Sequence, residues 1–238
     1  MRIDPNNTAV LVVDYQEKLL PAIHDVENLL QRTQVLLSGL QVLDIPVVLT
    51  EQYPRGLGPT VQELRDCLGE NYKPYEKITF SVMGCEDVKN AFAALGKKNI
   101  IVCGTEAHIC VLQSVIDLLA EGYNVYLVED CIASRKPSDK ETGIRRAMGE
   151  GALMTSAEAI LFELFASFDP VALDQACADA VIAQPAFLNS VLFDEKCECD
   201  RSQSDLLIAN HPNTDWKTCV EHAEKIGIGS RQYELIKI

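Results

Sequence analysis

Basic side chains are scarce in this sequence: 21 lysines and arginines stand against 35 aspartates and glutamates, so the net charge at pH 7 is −14. A charge of this sign repels the phosphate backbone of nucleic acids and the surface of anionic membranes. No basic cluster interrupts the acidic excess. The sequence therefore predicts a protein that binds neither nucleic acid nor membranes.

Long apolar runs are also missing, because no stretch approaches the roughly 20 residues needed to span a bilayer. The polar start Arg2-Ile3-Asp4-Pro5 does not resemble a secretory signal. Nine cysteines, an odd number, are spread from Cys67 to Cys219 and do not suggest a disulfide framework. These features predict reduced thiols and a cytoplasmic location.

The chain does contain short apolar runs that alternate with segments of helical periodicity. Five apolar runs predict strands, over residues 8–13, 45–49, 99–103, 124–128 and 152–155. Helices are predicted over residues 26–43, 60–68, 87–95, 110–120 and 140–148. This alternation is typical of a three-layer α/β/α sandwich with a mostly parallel, doubly wound sheet.

The pattern changes near the C-terminus. Two more helices are predicted over 157–165 and 171–183, after which a highly charged segment begins the last part of the chain. We therefore expect a main domain over residues 1–183 and a C-terminal extension of unknown role over residues 184–238. A zinc site there is the less favoured alternative, because the spacing of its candidate ligands is not that of a known finger. Those candidates are Cys197, Cys199, His211, Cys219 and His222.

The stretch from Ile100 to Val111 predicts a buried strand, a corner and the start of a helix. Cys110 would lie in the first helical turn, where free N–H groups and the helix dipole lower the pKa of a thiol. Cys110 is therefore a candidate nucleophile. The alternative, a small buried hydrophobic residue, is equally compatible with this stretch alone.

Two further residues are candidates for chemistry. Asp14 ends the first strand, where α/β folds place their ligand crevice, although it would serve equally as a helix N-cap. A loop rich in Pro and Gly at 50–59 is long enough to frame a pocket at the same edge. Lys77 is uninformative by itself, since an isolated lysine is usually a solvated surface residue.

Asp14, Lys77 and the segment Gly104 to Val111 together resemble the isochorismatase-like cysteine hydrolases. The loop from Thr50 to Thr60 is especially similar to the isochorismatase-domain-containing proteins. The resemblance extends over about residues 5 to 170, so the main domain is expected to be an isochorismatase-like hydrolase domain. Members of this family are commonly homo-oligomers, which we expect here as well.

The resemblance implies a catalytic triad in which Cys110 attacks a carbonyl, Asp14 is general base and acid, and Lys77 stabilises the thiolate. It further implies an oxyanion hole formed by the backbone N–H groups of Glu106 and Cys110. A cis peptide bond between Thr105 and Glu106 is also expected from the resemblance.

Departures from the family pattern narrow the prediction. Metal-binding members carry Asp and His after the second strand, where this chain has Glu51, Gln52 and Tyr53, so no catalytic metal and no cofactor are expected. Cys110 argues against vinyl-ether hydrolysis, because isochorismatases proper lack that cysteine. The pocket is expected to be lined by Gln16, Glu51, Gln52, Tyr53 and His108.

The predicted function is therefore a metal-independent hydrolase that acts on a small amide-like or related acyl substrate through a thioester. The alternative is a binding or scaffold protein that keeps the fold but has little or no activity.

Overall fold

The structure is a computed structural model that describes residues 3–168, 170–182, 205, 207 and 215–232. Its strands are β1 (Thr8–Val13), β2 (Val47–Gln52), β3 (Pro74–Lys77), β4 (Asn99–Thr105), β5 (Asn124–Ala133) and β6 (Leu153–Thr155). They form one parallel sheet in the order β3-β2-β1-β4-β5-β6.

Helices cover both faces of this sheet, which confirms the predicted α/β/α sandwich. The helices within the described residues are α1 (Val26–Val42), α2 (Pro54–Leu57), α3 (Gln62–Leu68), α4 (Glu86–Leu95), α5 (Leu112–Ala120), α6 (Pro137–Glu150), α7 (Ala157–Phe168), α8 (Pro170–Ile182) and α9 (Trp216–Lys225). None of the helices described is both long and apolar enough to span a bilayer.

Strand β1 is buried along its whole length, because β2 and β4 lie on either side of it and helices cover both of its faces. Successive side chains of a strand point to opposite faces of the sheet. Ala9, Leu11 and Val13 belong to a core cluster that includes buried residues of α4, α5 and α6. Helix α1 contacts α3 and β5. The uninterrupted apolar run of β1 is explained by burial on both faces.

The strand order brings several carboxyl ends together. Val13 pairs with Thr50 on one side and with Gly104 on the other, while Gln52 pairs with Lys77 on the neighbouring strand. The order of the strands reverses between β1 and β4, and ligand crevices of open α/β sheets lie at such a switch point. The end of β1 is therefore the expected position of a site.

Strand β3 is not among the five strands predicted from the sequence. Its residues, Pro-Tyr-Glu-Lys, lack the apolar run that marks a central strand. β3 lies at the edge of the sheet, where a proline at the first position is tolerated and burial on both faces is not needed. β3, the strand that the sequence does not predict, is the one that carries Lys77.

The chain divides into two compact units, Met1–Leu164 and Phe165–Ile238. The first contains the whole sheet. In the second, the buried side chain of Asp205 accepts a hydrogen bond from Trp216 Nε1 at 3.2 Å and forms an ion pair with Lys217 at 3.0 Å. The expected boundary between residues 183 and 184 falls at the edge of a segment outside the described residues and stays a prediction.

Candidate active site

Asp14 and Lys77 form a buried ion pair at the carboxyl edge of the sheet. Lys77 Nζ lies 2.7 Å from Asp14 Oδ2, and neither side chain is exposed to solvent. The hydroxyl of Thr50 donates a hydrogen bond to Asp14 Oδ1 at 2.9 Å. The hydroxyl of Thr105 donates to the backbone carbonyl of Asp14 at 2.6 Å. Residues from β2, β3 and β4 thus fix the position of the carboxylate.

Cys110 lies in a π-helical turn, Ala107–Val111, that precedes α5. The sequence predicts an α-helix that begins at Cys110, but hydrophobic periodicity does not distinguish a single π-helical turn from an α-helical one. The charges and hydrogen-bonding groups of both Asp14 and Lys77 act on the pKa of its thiol. The structure therefore brings the three candidate catalytic side chains together.

The side chain of Ser114 holds the turn that contains Cys110 in place. Ser114 Oγ donates to the backbone carbonyl of Cys110 at 2.6 Å and accepts the N–H of Val82 at 3.0 Å. Because the hydroxyl is buried, both of its bonds are protected from water. The turn is thereby fixed to α5 and to the loop that precedes α4.

Burial dominates the electrostatics of the thiol. Desolvation first, and the charge of Asp14 second, raise the pKa of Cys110 to about 12, while Lys77 lowers it. The prediction of a lowered thiol pKa is therefore wrong for the free protein, because desolvation and the adjacent carboxylate outweigh the cation. Burial and the charge of Asp14 thus favour the neutral thiol over the thiolate in the free protein.

Burial also raises the pKa of Asp14 above its ordinary 3.8. The charge and hydrogen bond of Lys77 oppose this shift, as do hydrogen bonds from Thr50 and Cys110. A carboxylate with a raised pKa is a better proton acceptor than an ordinary aspartate. The arrangement is chemically able to remove the proton of a neighbouring thiol.

The peptide bond between Thr105 and Glu106 is cis. The buried carboxylate of Glu106 accepts hydrogen bonds from the backbone N–H of Arg135 at 3.2 Å and from its Nε at 3.0 Å. The backbone carbonyl of Glu106 accepts the N–H groups of Ile109 and Val111 at 3.0 and 3.2 Å. Glu106 is therefore held through both its side chain and its backbone, immediately before the turn that carries Cys110.

Two glycines allow close approach of backbone segments around this turn. Gly104 has a φ of +146°, and a Cβ there would collide with the backbone carbonyl of Val13. A Cβ on Gly143 of α6 would lie 2.8 Å from the carbonyl oxygen of Ala107 and 3.0 Å from Cα of His108. The turn that carries the thiol is thus packed directly against the backbone of α6.

Two of the expected pocket residues support the ion pair. Gln52 Oε1 accepts a hydrogen bond from Lys77 Nζ at 2.7 Å. Gln16 is buried, and its Nε2 donates to the carbonyls of Gln52 at 3.0 Å and Gly58 at 2.6 Å. The two amides therefore connect the ammonium group to the loop that follows β2.

The side chains of Glu51 and His108 are hydrogen-bonded to residues other than Asp14, Lys77 and Cys110. The Glu51 carboxylate accepts hydrogen bonds from the backbone N–H of Thr60 at 2.7 Å, its hydroxyl at 2.8 Å and the Tyr72 hydroxyl at 2.8 Å. The His108 ring is hydrogen-bonded through Nδ1 to Ser134 Oγ at 2.9 Å. Neither side chain is hydrogen-bonded to a member of the triad.

Tyr53 is the most exposed of the expected pocket residues, with 55% of its surface accessible. It lines a cavity of about 450 Å³ together with Arg55, Glu76, Lys77 and Cys85. Lys77 is 3% exposed, and its side chain is directed at Asp14 rather than into this cavity. The cavity therefore borders the ion pair without containing the thiol.

Three side chains that contact the site are not predicted from the sequence, namely those of Thr50, Ser134 and Arg135. For Thr105 the resemblance implies the cis peptide bond but not the hydrogen bond of its hydroxyl. Thr50 lies inside a segment that the sequence singles out, and the alternation of side chains along a strand is the signal that selects it. Ser134 and Arg135 follow β5, and only the position of β5 beside β4 makes them neighbours of the turn.

No group of three or more His, Cys, Asp or Glu side chains in the described part of the chain is arranged to hold a metal ion. Cys197, Cys199 and His211 of the alternative zinc site lie outside that part. The expectation of a metal-independent site stays a prediction.

The chain is similar to known proteins over most of the first unit. The isochorismatase domain family matches residues 8–159. Isochorismatase domain-containing protein 2 of Danio rerio is 36% identical over 164 residues, which are 68% of this chain and 81% of the zebrafish protein.

Two solved structures have the same fold. The MAR1 ribonuclease of Caenorhabditis elegans is 36% identical with a TM-score of 0.65, and the match covers 69% of this chain and 84% of that one. The YcaC gene product of Escherichia coli, described as an octameric hydrolase of unknown specificity, is 25% identical with a TM-score of 0.66. That match covers 69% of this chain and 82% of YcaC.

Proposed function

The chain belongs to the isochorismatase domain family, and from this premise we propose a hydrolase in which the Cys110 thiol attacks the carbonyl of a small amide or related acyl substrate. Membership of the family and similarity to a hydrolase support the general class of reaction. The observation that carries the specific proposal is the 2.7 Å ion pair of Asp14 and Lys77, which is fully buried and whose two members both act on the pKa of the Cys110 thiol.

The first half of the reaction forms a thioester. Asp14 accepts the thiol proton as the sulfur of Cys110 bonds to the carbonyl carbon. Lys77 keeps Asp14 ionised in spite of its burial, so that the carboxylate is available as a base. The backbone N–H groups of Glu106 and Cys110 receive the oxyanion. Asp14 then gives its proton to the nitrogen, the C–N bond breaks, and ammonia or an amine leaves.

The second half regenerates the thiol. Asp14 accepts a proton from a water molecule as the water oxygen bonds to the thioester carbonyl carbon. The C–S bond breaks, the carboxylic acid leaves, and the proton returns to the sulfur. No metal, oxidant or cofactor enters this balance.

Measuring ammonia release from a panel of primary amides and ureides, and thiol release from thioesters, tests the proposal. We expect Cys110→Ala to fold normally and to lose about 10³-fold or more of the wild-type turnover, because the nucleophile is removed. Cys67→Ala removes a half-buried thiol on α3 and should retain full turnover. Wild-type turnover in Cys110→Ala would show that the nucleophile is another group.

Absence of turnover with every substrate would favour the alternative, a binding or scaffold protein. RNA belongs in the same panel, because one similar protein is called a ribonuclease. We expect no RNA cleavage, since the net charge of −14 opposes the approach of a phosphate backbone.

We also propose that the protein is a homo-oligomer, as YcaC is described to be. Light scattering during size-exclusion chromatography should give a mass that is a multiple of 26.3 kDa. A mass of a single chain at micromolar concentration would contradict this proposal.

A further inference from the structure

We propose that Gln52 is a positioning residue that holds the Lys77 ammonium group with a neutral acceptor, so that Asp14 is its single anionic partner within the described part of the chain. This inference rests on the proposed roles of Asp14, Lys77 and Cys110. It assigns to Gln52 control over the charge balance of the reactive group, which differs from the pocket-lining role expected from the sequence.

The Lys77 ammonium group is as close to Gln52 as it is to Asp14. Lys77 Nζ donates to Asp14 and to Gln52 Oε1, each at 2.7 Å. Its contacts with the carbonyls of Thr79 and Phe80 are longer, at 3.2 and 3.4 Å. An ammonium group has three N–H donors. The two short bonds therefore fix its orientation, and one of these two acceptors is uncharged.

The contacts of Gln52 determine which end of its amide faces the ammonium. Oε1 accepts from Lys77, while Nε2 donates to the backbone carbonyl of Ile78 at 3.0 Å. An amide satisfies both partners at once, whereas a carboxylate offers no donor to the carbonyl. The backbone N–H of Gln52 is in turn held by Gln16 Oε1 at 2.8 Å. The position therefore suits glutamine specifically.

The neighbouring position shows why the amide matters. Glu51 and Gln52 are consecutive in β2, and their side chains point to opposite faces. The carboxylate of Glu51 faces Thr60 and Tyr72, away from the ammonium. The alternation of side chains along β2 thus directs the carboxylate of Glu51 away from Lys77 and the neutral amide of Gln52 towards it.

A second carboxylate, at position 52, would raise the pKa of both Asp14 and Cys110. It would share the Lys77 cation with Asp14 and add a negative charge close to the thiol, and both effects disfavour the anionic forms of Asp14 and Cys110. An upward shift of one unit in the pKa of the thiol reduces the thiolate fraction tenfold at a pH below that pKa.

The test compares Gln52→Glu with Gln52→Met. Both variants lose the hydrogen bond to Ile78, but only Gln52→Glu adds a charge. Gln31→Glu, on an exposed position of α1, is the control for the same change in net charge. The readout is the rate at which iodoacetamide, a neutral reagent, alkylates the Cys110 peptide between pH 7 and 10, measured by mass spectrometry. Circular dichroism verifies folding.

We expect Gln52→Glu to slow alkylation of Cys110 by about tenfold or more and to move its pH profile upward by about one unit. Gln52→Met should react at least as fast as the wild type, because the freed N–H of Lys77 can turn to the sulfur. Gln31→Glu should match the wild type.

Equal slowing in Gln52→Glu and Gln52→Met would overturn the inference and leave Gln52 with a packing role. A wild-type rate in Gln52→Glu would overturn it as well. These failures differ from failure of the proposed function, which is judged by the turnover of Cys110→Ala and not by the ratio of alkylation rates among the Gln52 variants.

Discussion

Two ion pairs flank the turn that carries Cys110, and they differ in their access to water. In the pair of Asp14 and Lys77, both side chains are fully buried. In the pair of Glu106 and Arg135, with Nε 3.0 Å from the carboxylate, the side chain of the acid is 7% exposed and that of the arginine 56% exposed. Charges attract strongly where water is excluded and weakly where solvent reaches one partner. The first pair is suited to chemistry, and the second to holding the loop.

The difference also shows in what each carboxylate binds. A hydrogen bond from the Cys110 thiol contributes to the pKa of Asp14, in keeping with the proposed transfer of a proton between the two groups. The carboxylate of Glu106 accepts two hydrogen bonds from Arg135, one from the backbone and one from the side chain. Removing the guanidinium would leave the backbone bond in place. Removing the Lys77 ammonium would leave the carboxylate of Asp14 with the hydrogen bond from Thr50, but as an unbalanced charge where water does not reach.

Lys77→Met should have the largest effect. It leaves the carboxylate of Asp14 buried without its cation, and breaking a buried pair in this way costs about 3–5 kcal/mol of stability. Turnover should disappear, because an unpaired buried carboxylate takes up a proton and can no longer act as base. Urea unfolding at pH 7 and ammonia release measure the two effects.

Arg135→Gln is the matched variant of the second pair. Because solvent reaches the guanidinium, we expect a loss of about 1 kcal/mol or less. If both variants lost similar stability, the contrast between a sealed and a solvated pair would be wrong.

Gly143→Ala probes the turn between the two pairs. The new methyl group would meet the backbone of Ala107 and His108 at 2.8 and 3.0 Å, so the turn or α6 must move, at a cost of about 1–3 kcal/mol. Turnover should fall as well, because displacement of the turn moves the thiol away from Asp14.

Gly149→Ala is the control on the same helix, since within the described residues no atom outside the adjoining turns of α6 lies within 4 Å of the position that its new methyl group would take. There the change should stabilise α6 by about 0.5–1 kcal/mol, because alanine favours a helix more than glycine does, and turnover should not change. Equal loss of turnover in both variants would indicate a general effect on α6 rather than contact with the turn.

The central strands could be predicted from sequence because burial on both faces demands continuous apolar runs, as in Thr8–Val13. β3 could not, since an edge strand carries no such run. The proximity of Asp14 and Lys77 depends on the order β3-β2-β1, which periodicity does not encode. Lys77 is predicted as a catalytic residue only from the resemblance to the family, because nothing in its own segment of the sequence distinguishes it from a surface lysine.

Details of the site depended on geometry finer than a motif. Glu51 and Gln52 look equivalent in the sequence, yet strand alternation gives them different partners. The pKa of Cys110 was predicted in the wrong direction because the helix terminus was visible in the sequence, whereas burial and the adjoining carboxylate were not. Opposing contributions of this kind can be weighed only once the contacts are known.

The most direct test of the account is to stop turnover of a reactive amide with acid and to locate the acyl group by peptide mass spectrometry. We expect one acyl group on the Cys110 peptide of the wild type and none on any peptide of Cys110→Ala. Hydrolysis that proceeds with the acyl group on another cysteine, such as Cys103 or Cys131, would contradict it.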